Sequence, residues 1–396
     1  MRPRVYTSIA LLALVAASPT LATNGDNLIG IGPVSRAMGG VGVAAPQDSI
    51  TAIFQNPAGM NFCPCGEKSE AIFGGDIFNP SVTAKIGSPM GAQSGDSQHD
   101  VFVIPAMGVT TPINDQWRFG LGAYGISGLG VDYRGQIAGD LYTKLEIMKF
   151  AGMVSYNINE NLALGLALNG TYNNLDLGSG GSHDYAFGAQ IGILYALDMW
   201  SFGASYTSPE TASHENVADF DGNGTLDTLD LEAPTALIGG VAFEPNDVFL
   251  VEADVKWYNW AGADGYSDFG WDDQWVFALG AQYRPTPKWA LRAGYNYGEN
   301  PVQTNDGFNP MGTTNVQGKQ VPNVNYEVLR IAGFPAIVEQ HITLGVGYAL
   351  TETIRLDLGY LHAFAKSIKE TSAGGAVTIE SELEEDSLSF SLSFAF

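Results

Sequence analysis

The stretch Asp219-Phe-Asp221-Gly-Asn223-Gly-Thr225-Leu-Asp227-Thr-Leu-Asp230 sets oxygen-bearing residues at alternate positions around a glycine. That spacing matches a loop that wraps a calcium ion. Asp219, Asp221 and Asn223 would offer side-chain oxygens, Thr225 its carbonyl, Asp227 a water-mediated contact and Asp230 the closing carboxylate, while Gly224 permits the sharp turn. Aspartate stands at the closing position where glutamate is usual, and no flanking helices are predicted. The expectation is a bare loop for Ca2+ with a structural role, or an acidic turn that shares the spacing. No other cofactor is expected.

Little else points to reaction chemistry. The histidines, His99, His183, His214, His341 and His362, are scattered, and none accompanies a nucleophile motif such as G-x-S-x-G. Cys63 and Cys65 are the only cysteines; an exported chain can oxidise them, but a C-x-C ring is tight, and two thiolates make a poor metal site. Gly178-Ser179-Gly180-Gly181 does not join a strand to a helix, so it is no phosphate loop. A net charge of −24 argues against nucleic acid, which needs basic patches. The chain is not expected to be an enzyme. The enzymatic alternative is a barrel lipase or acyltransferase, whose site is assembled only in space.

The elements that would position these residues follow from export and alternation. Arg2 and Arg4, an apolar run from Ile9 to Ala17, and the small residues Thr20 and Ala22 read as a secretory signal over 1–22, cleaved near Ala22-Thr23. That run is too short to span a bilayer, and no later stretch approaches roughly 20 apolar residues. The 49 glycines, 11% aromatic and 15% charged residues, and a mean hydropathy near zero suit strands with one face to lipid and the other to a polar interior.

From about residue 69 large residues alternate with small or polar ones, as Ile342, Leu344, Val346, Tyr348 and Leu350 do with Thr343, Gly345, Gly347 and Ala349. Fourteen such runs are predicted: 69–87, 100–112, 116–131, 143–158, 160–175, 183–197, 200–209, 232–244, 246–260, 274–285, 287–298, 339–350, 353–365 and 386–396. Tight turns at 113–115, 159, 198–199, 245, 286 and 351–352 alternate with longer connections, the longest near 210–231 and 299–338. Acidic residues gather at 219–230, 264–273 and 380–386, all read as loops. An even count with alternating short and long connections predicts an all-β fold, a 14-stranded antiparallel transmembrane β-barrel of an outer membrane. Trp117, Tyr133, Trp200, Trp257, Tyr258, Trp260 and Trp289 fall near strand ends and suit its interfacial girdles.

Residues 23–68 lack alternation and are long enough to plug the lumen, so 23–68 is expected as an N-terminal hatch and 69–396 as the barrel. The chain closes Phe390, Leu392, Phe394, Phe396 with Ser or Ala between. This ending resembles the signal read by the barrel-assembly machinery, with Phe394 and Phe396 carrying it.

The expected hatch reads Gly39-Gly40-Val41-Gly42, then 48–51, then Phe54-Gln55-Asn56-Pro57-Ala58-Gly59-Met60. It resembles the hatch of FadL-type long-chain fatty-acid transporters, a family with toluene and xylene transporter relatives. Its hallmark is the Asn-Pro-Ala triplet, here Asn56, Pro57 and Ala58. Stretches 119–130, 273–302 and 334–348 look like the same family, so the resemblance spans nearly the whole mature chain. It implies a monomeric barrel of fourteen strands that takes hydrophobic small molecules from outside by passive diffusion and releases them sideways into outer-membrane lipid. Long-chain fatty acids are the default cargo and aromatic hydrocarbons the alternative. The family's lateral opening lies at an inward-kinked strand, and Gly125, Gly128 and Gly130 are the candidates for that kink; the competing reading is that these glycines make room for lumen packing. No substrate-binding residue can be carried over. A general porin and a structural or adhesive barrel compete, and the plug segment with its charge-poor strands favours an occluded lumen over a porin's open one.

Overall fold

The computed structural model describes residues 23–64, 68–137 and 139–396, so the expected signal at 1–22 and Cys65 lie outside the described residues. The alternating runs become one antiparallel ring. Its strands are β1 (Glu70–Ser88), β2 (Phe102–Pro112), β3 (Trp117–Asp132), β4 (Tyr142–Asn159), β5 (Leu162–Asp176), β6 (Ser182–Leu197) and β7 (Trp200–Thr207). They continue as β8 (Ala236–Asn246), β9 (Phe249–Tyr258), β10 (Gln274–Thr286), β11 (Trp289–Gly298), β12 (Gln340–Ala349), β13 (Ile354–Thr371) and β14 (Thr378–Ala395). Each pairs with the next, and β14 returns to β1 in a register running from Ala395↔Glu70 to Thr378↔Gly87. An antiparallel ring closes without a parallel seam only when the count is even, and closure removes the edge that hydrocarbon could not hydrogen-bond.

The pleat explains the alternation. On β10, Trp275, Phe277 and Leu279 stand half-exposed outward, while Gln274, Val276 and Ala278 are buried inward. Tight turns lie at one end of the ring, where Ser69 and Phe396 exchange backbone hydrogen bonds of 3.1 and 2.9 Å. A girdle of cross-strand aromatic pairs runs round this end: Trp117 with Tyr156, Trp200 with Phe243, Phe249 with Tyr283 and Trp289 with Tyr348, centroids 4.5 to 4.7 Å apart. Three residues expected in the girdles are not there, since Tyr133, Tyr258 and Trp260 are buried. Tyr258 shares the inward parity of Asp254 and Lys256 on β9, and Trp260 follows in a short 3-10 turn whose ring packs on Tyr266 and Trp271 inside.

The other end is uneven. β1, β13 and β14 run 19, 18 and 18 residues, against 8 in β7, although about 9–11 suffice to cross a bilayer. The acidic stretch 380–386, expected as a loop, is the upper half of β14. Beyond the hydrocarbon the outward face is free to carry charge, so Glu380 occupies an outward slot and meets Lys85 at 2.9 Å, while Ile379 and Leu383 stay buried. The expected loop 210–231 is likewise a hairpin of Glu210–Ala218 with Asp227–Ala233, and the strand predicted from 232 begins at Ala236. A second small hairpin, Thr313–Val316 with Lys319–Pro322, stands in the 299–338 connection.

Residues 23–64 run inside this ring. Thr23–Asn24 pairs with Asn27–Leu28, α1 (Gly32–Arg36) and α2 (Ser49–Gln55) follow, and a 3-10 turn spans Pro57–Asn61. Most of their side chains are fully buried, and the main apolar core lies between them and the wall.

Candidate functional site

The inner segment is seated by polar bonds to the wall. Asp48 caps α2 by accepting from Thr51 N (2.8 Å), and Asn56 caps the following 3-10 turn by accepting from Ala58 N (3.1 Å), with Pro57 at the first position where no donor is needed. The Asn56 amide also donates to Val43 O (2.8 Å) within the segment and to Ile193 O (3.0 Å) on β6. The triplet is thus a cap and a wall anchor at once. The wall accommodates this backbone because it lacks side chains there. A Cβ on Gly192 would lie 2.0 Å from Asn56 Oδ1, one on Gly165 2.2 Å from Ala58 N, and one on Gly203 1.9 Å from Val43 O. Small inward residues are the price of a close-fitting interior segment.

β9 supplies the strongest clamp. Glu252 Oε1 accepts from Ala44 N (2.7 Å) and Ala45 N (3.1 Å), and Asp254 Oδ2 from Gly42 N (3.0 Å) and Val43 N (3.4 Å). Lys256 Nζ donates to Ile29 O (2.8 Å) and Gly40 O (2.7 Å). All three are fully buried. Sequence reading missed them, although the signal was present: a spanning strand with apolar Val251, Ala253 and Val255 outward carries Glu, Asp and Lys on the other face, where a charge must find a partner. Arg36 meets Asp76 on β1 at 3.2 Å, and Glu385 on β14 accepts from Thr23 N at 2.9 Å.

Above the segment an apolar pocket is lined by Leu129, Leu145, Leu175, Leu229, Phe269 and Phe334, closed over by the long connections. It leaves about 30 Å³ free. Two charged side chains reach it, and both are engaged. Arg330 is held by Glu327 at 2.8 Å and by Glu370. Asp26 accepts from the Tyr266 hydroxyl. Burial pushes the Asp26 carboxyl up to about 6 despite the hydrogen bond from Tyr266.

Beside this pocket the wall is incomplete. Pairing of β2 with β3 ends at Ala106↔Tyr124, yet β3 continues to Asp132 and β2 is paired with β1 up to Phe102↔Phe78. β3 bulges between Gly125 and Ser127, and there it takes a new partner: Asn27 bridges Ser127, and Gly128 N donates to Asp26 O (3.3 Å). Gln98 N bonded to Asp132 O (2.9 Å) bounds the gap above. A cavity of about 520 Å³ fills it, lined by Leu28, Phe78, Phe102, Ile104, Leu145 and Ile147. Leu129 and Leu145 line this cavity and the pocket alike. Of the glycines singled out from sequence, Gly125 stands at the bulge, whereas Gly128 and Gly130 keep regular register with Glu146 and Lys144 of β4.

The acidic loop brings Asp219, Asp221 and Asp227 together, one oxygen of each within 4.8 Å of the others. Asp219 accepts from Asn223 N (3.0 Å) and Gly224 N (2.8 Å), and the Thr225 hydroxyl bonds the Asn223 side chain. Asp227 also meets Lys319 Nζ at 2.5 Å. Asp230 lies in the strand opposite Ser213, its backbone bonded to Gln317. Cys63 is disulfide-bonded. Phe394, on the outward face of β14, meets Phe73 of β1 edge-on at 6.4 Å.

Comparison with known proteins agrees with this architecture. A family model described as Outer membrane protein transport protein (OMPP1/FadL/TodX) matches residues 9–182 and 173–308. The long-chain fatty acid transport protein of Escherichia coli O6:H1 is 21% identical, over 98% of this chain and 96% of that one. An uncharacterized protein in the phosphoenolpyruvate carboxykinase gene 5' region of Chlorobium limicola is 40% identical over 83 residues, 21% of this chain, which thus spans 40% of that relative's length. Among solved structures, the Pseudomonas putida toluene transporter TodX superposes with a TM-score of 0.69 at 19% identity, over 93% of this chain and 99% of that one. A Pseudomonas aeruginosa FadL homologue gives 0.69 at 15% identity, over 96% and 100%. The closed ring with its occupied lumen and a family match over most of its length identify the chain as a member of the OMPP1/FadL/TodX family of outer membrane transport proteins.

Proposed function

We propose that this protein, acting as a monomer, imports hydrophobic compounds by passive diffusion, with residues 23–68 as the hatch and the gap between β2 and β3 as a lateral exit into lipid. The observation that carries this reading is that Leu129 and Leu145 line both the apolar pocket under the outer loops and the cavity in the gap of the wall. An apolar ligand gains about 0.8 kcal/mol per CH₂ on leaving water, and a route ending in hydrocarbon keeps that gain. Within the class, uncharged molecules such as aromatic hydrocarbons suit the pocket best. Arg330 already holds two carboxylates, so a third would displace one of them. Long-chain fatty acids are the second reading, supported by the end-to-end alignment with the Escherichia coli protein whose name states that cargo.

The test is uptake of labelled toluene and labelled oleate by cells lacking their own importers, with the intact protein and with a variant lacking 23–68. Toluene uptake exceeding oleate uptake supports the first reading, and oleate uptake alone supports the second. Free passage of small sugars through the intact barrel, with neither compound entering, makes it a porin.

A further inference from the structure

The lateral gap has a feature that its glycine bulge does not explain alone. Ile104 belongs to the fixed side, since its backbone is paired with Asp76 on β1. Its side chain points inward and reaches across toward β3, whose ladder with β2 ends two residues away at Ala106↔Tyr124. There it occupies a notch: a Cβ built on Gly125 would lie 2.4 Å from Ile104 Cγ2 and 3.7 Å from Ile104 Cβ. Pro105 follows, a residue without an N–H at the point where β2 loses its partner, as suits a strand edge. The contact stands where β2 and β3 part, at the edge of a cavity lined by Leu28, Leu145 and Ile147 and by the outward residues Val101 and Val103. Ile104 is branched at Cβ, so it cannot swing aside without leaving its χ1 well.

We propose that Ile104, seated in the notch left by Gly125, is the size filter of the lateral exit. This rests on the lateral-release reading above. The bulge opens the ladder, and the isoleucine sets how wide a molecule can leave. Removing its branches widens the passage most for broad, rigid molecules and changes little for narrow ones.

The experiment uses the full-length protein in cells lacking their own importers, with folding verified by heat-modifiable gel mobility. Uptake of toluene is compared with uptake of pyrene, which is flat and several rings wide. Ile104→Ala is expected to raise the pyrene-to-toluene ratio by on the order of tenfold. A second variant, Ile104→Cys with Gly125→Cys, tests the route itself. The 3.7 Å separation of the two Cβ positions is near the usual disulfide value of about 3.8 Å, and the Ile104 substitution removes the Cγ2 that would clash. The oxidised pair is expected to stop uptake of both compounds and reductant to restore it, with the wild type under the same reductant correcting for the native bond at Cys63. If the oxidised pair blocks uptake but Ile104→Ala leaves the ratio unchanged, the filter is wrong and the lateral route stands. If the oxidised pair transports both compounds normally, passage does not depend on this contact and the filter is overturned. If oxidant forms no crosslink, Ile104 and Gly125 are not in contact and the filter is overturned.

Discussion

At the scale of single residues, the inner segment is held by atoms with no substitute partner. Asn56→Ala removes the donor to Val43 O and Ile193 O and the cap on Ala58 N. We expect seating to weaken by about 2–3 kcal/mol, seen as faster backbone hydrogen exchange across Pro57–Asn61 in a barrel that still assembles. Exchange unchanged from wild type would mean the triplet anchors nothing. The carboxyls of Asp26 and Asp48 are both pushed up to about 6 by burial, from 3.8 in the open chain. The native state therefore favours their neutral forms. Their contribution to stability is fully present below about pH 4 and is lost as pH rises through 6. Asp26→Asn, which stays neutral, should accordingly melt higher than wild type at pH 7.5 and no higher at pH 4. A difference independent of pH would show that the carboxylate is not the cause.

At the scale of elements, β9 is both wall and clamp. Asp254→Ala leaves Gly42 N and Val43 N buried without acceptors, each costing about 1–3 kcal/mol, whereas Asp254→Asn keeps an acceptor at the same place. In planar bilayers the alanine variant should show ion-conducting events at least tenfold more often than wild type, and the asparagine variant should stay near wild type. Equal conductance from both substitutions would assign the role to charge and not to hydrogen bonding. For the outer hairpin we propose that Asp219, Asp221 and Asp227 take up Ca2+, which would shield Asp219 and Asp221 from each other and compete with Lys319 for Asp227. Terbium luminescence excited through nearby aromatics should saturate with the wild type and vanish in Asp219→Asn with Asp221→Asn. Luminescence surviving that double change would place the ion elsewhere.

At the scale of the whole molecule, closure depends on the last strand meeting the first. β14 pairs with β1 over its full length, and Phe396 exchanges backbone bonds with Ser69 at the turn end. We propose that Phe394 and Phe396 are also what the barrel-assembly machinery reads. Deleting Phe396 should lower the amount of folded barrel in the outer membrane severalfold while leaving the melting temperature of the barrels that do form within a few degrees of wild type. A large fall in melting temperature would instead make the residue a structural one. Because exposed strand edges cannot persist in hydrocarbon, partial barrels should be degraded and not accumulate.

Much of this protein is written locally in its sequence. All fourteen wall strands were legible, because a strand facing lipid on one side and a packed interior on the other must alternate, and each run carries that signal by itself. The Asn-Pro-Ala triplet stood out by resemblance, and its role as a cap, which is local because Asn56 bonds a donor two residues on, came from the structure. Where the outward face leaves the hydrocarbon, the signal inverts: Glu380 in the upper half of β14 looks like loop because nothing apolar is required there. What only the tertiary structure decided are relations between distant segments. That Glu252 and Asp254 hold Gly42 to Ala45, that Gly192 is bare because Asn56 lies on it, and that β3 leaves β2 at Tyr124 to bond Asp26 and Asn27 depend on the plug lying against a particular stretch of wall. Periodicity fixes which face a residue takes, but only closing the ring around its own N-terminal segment fixes what that face meets.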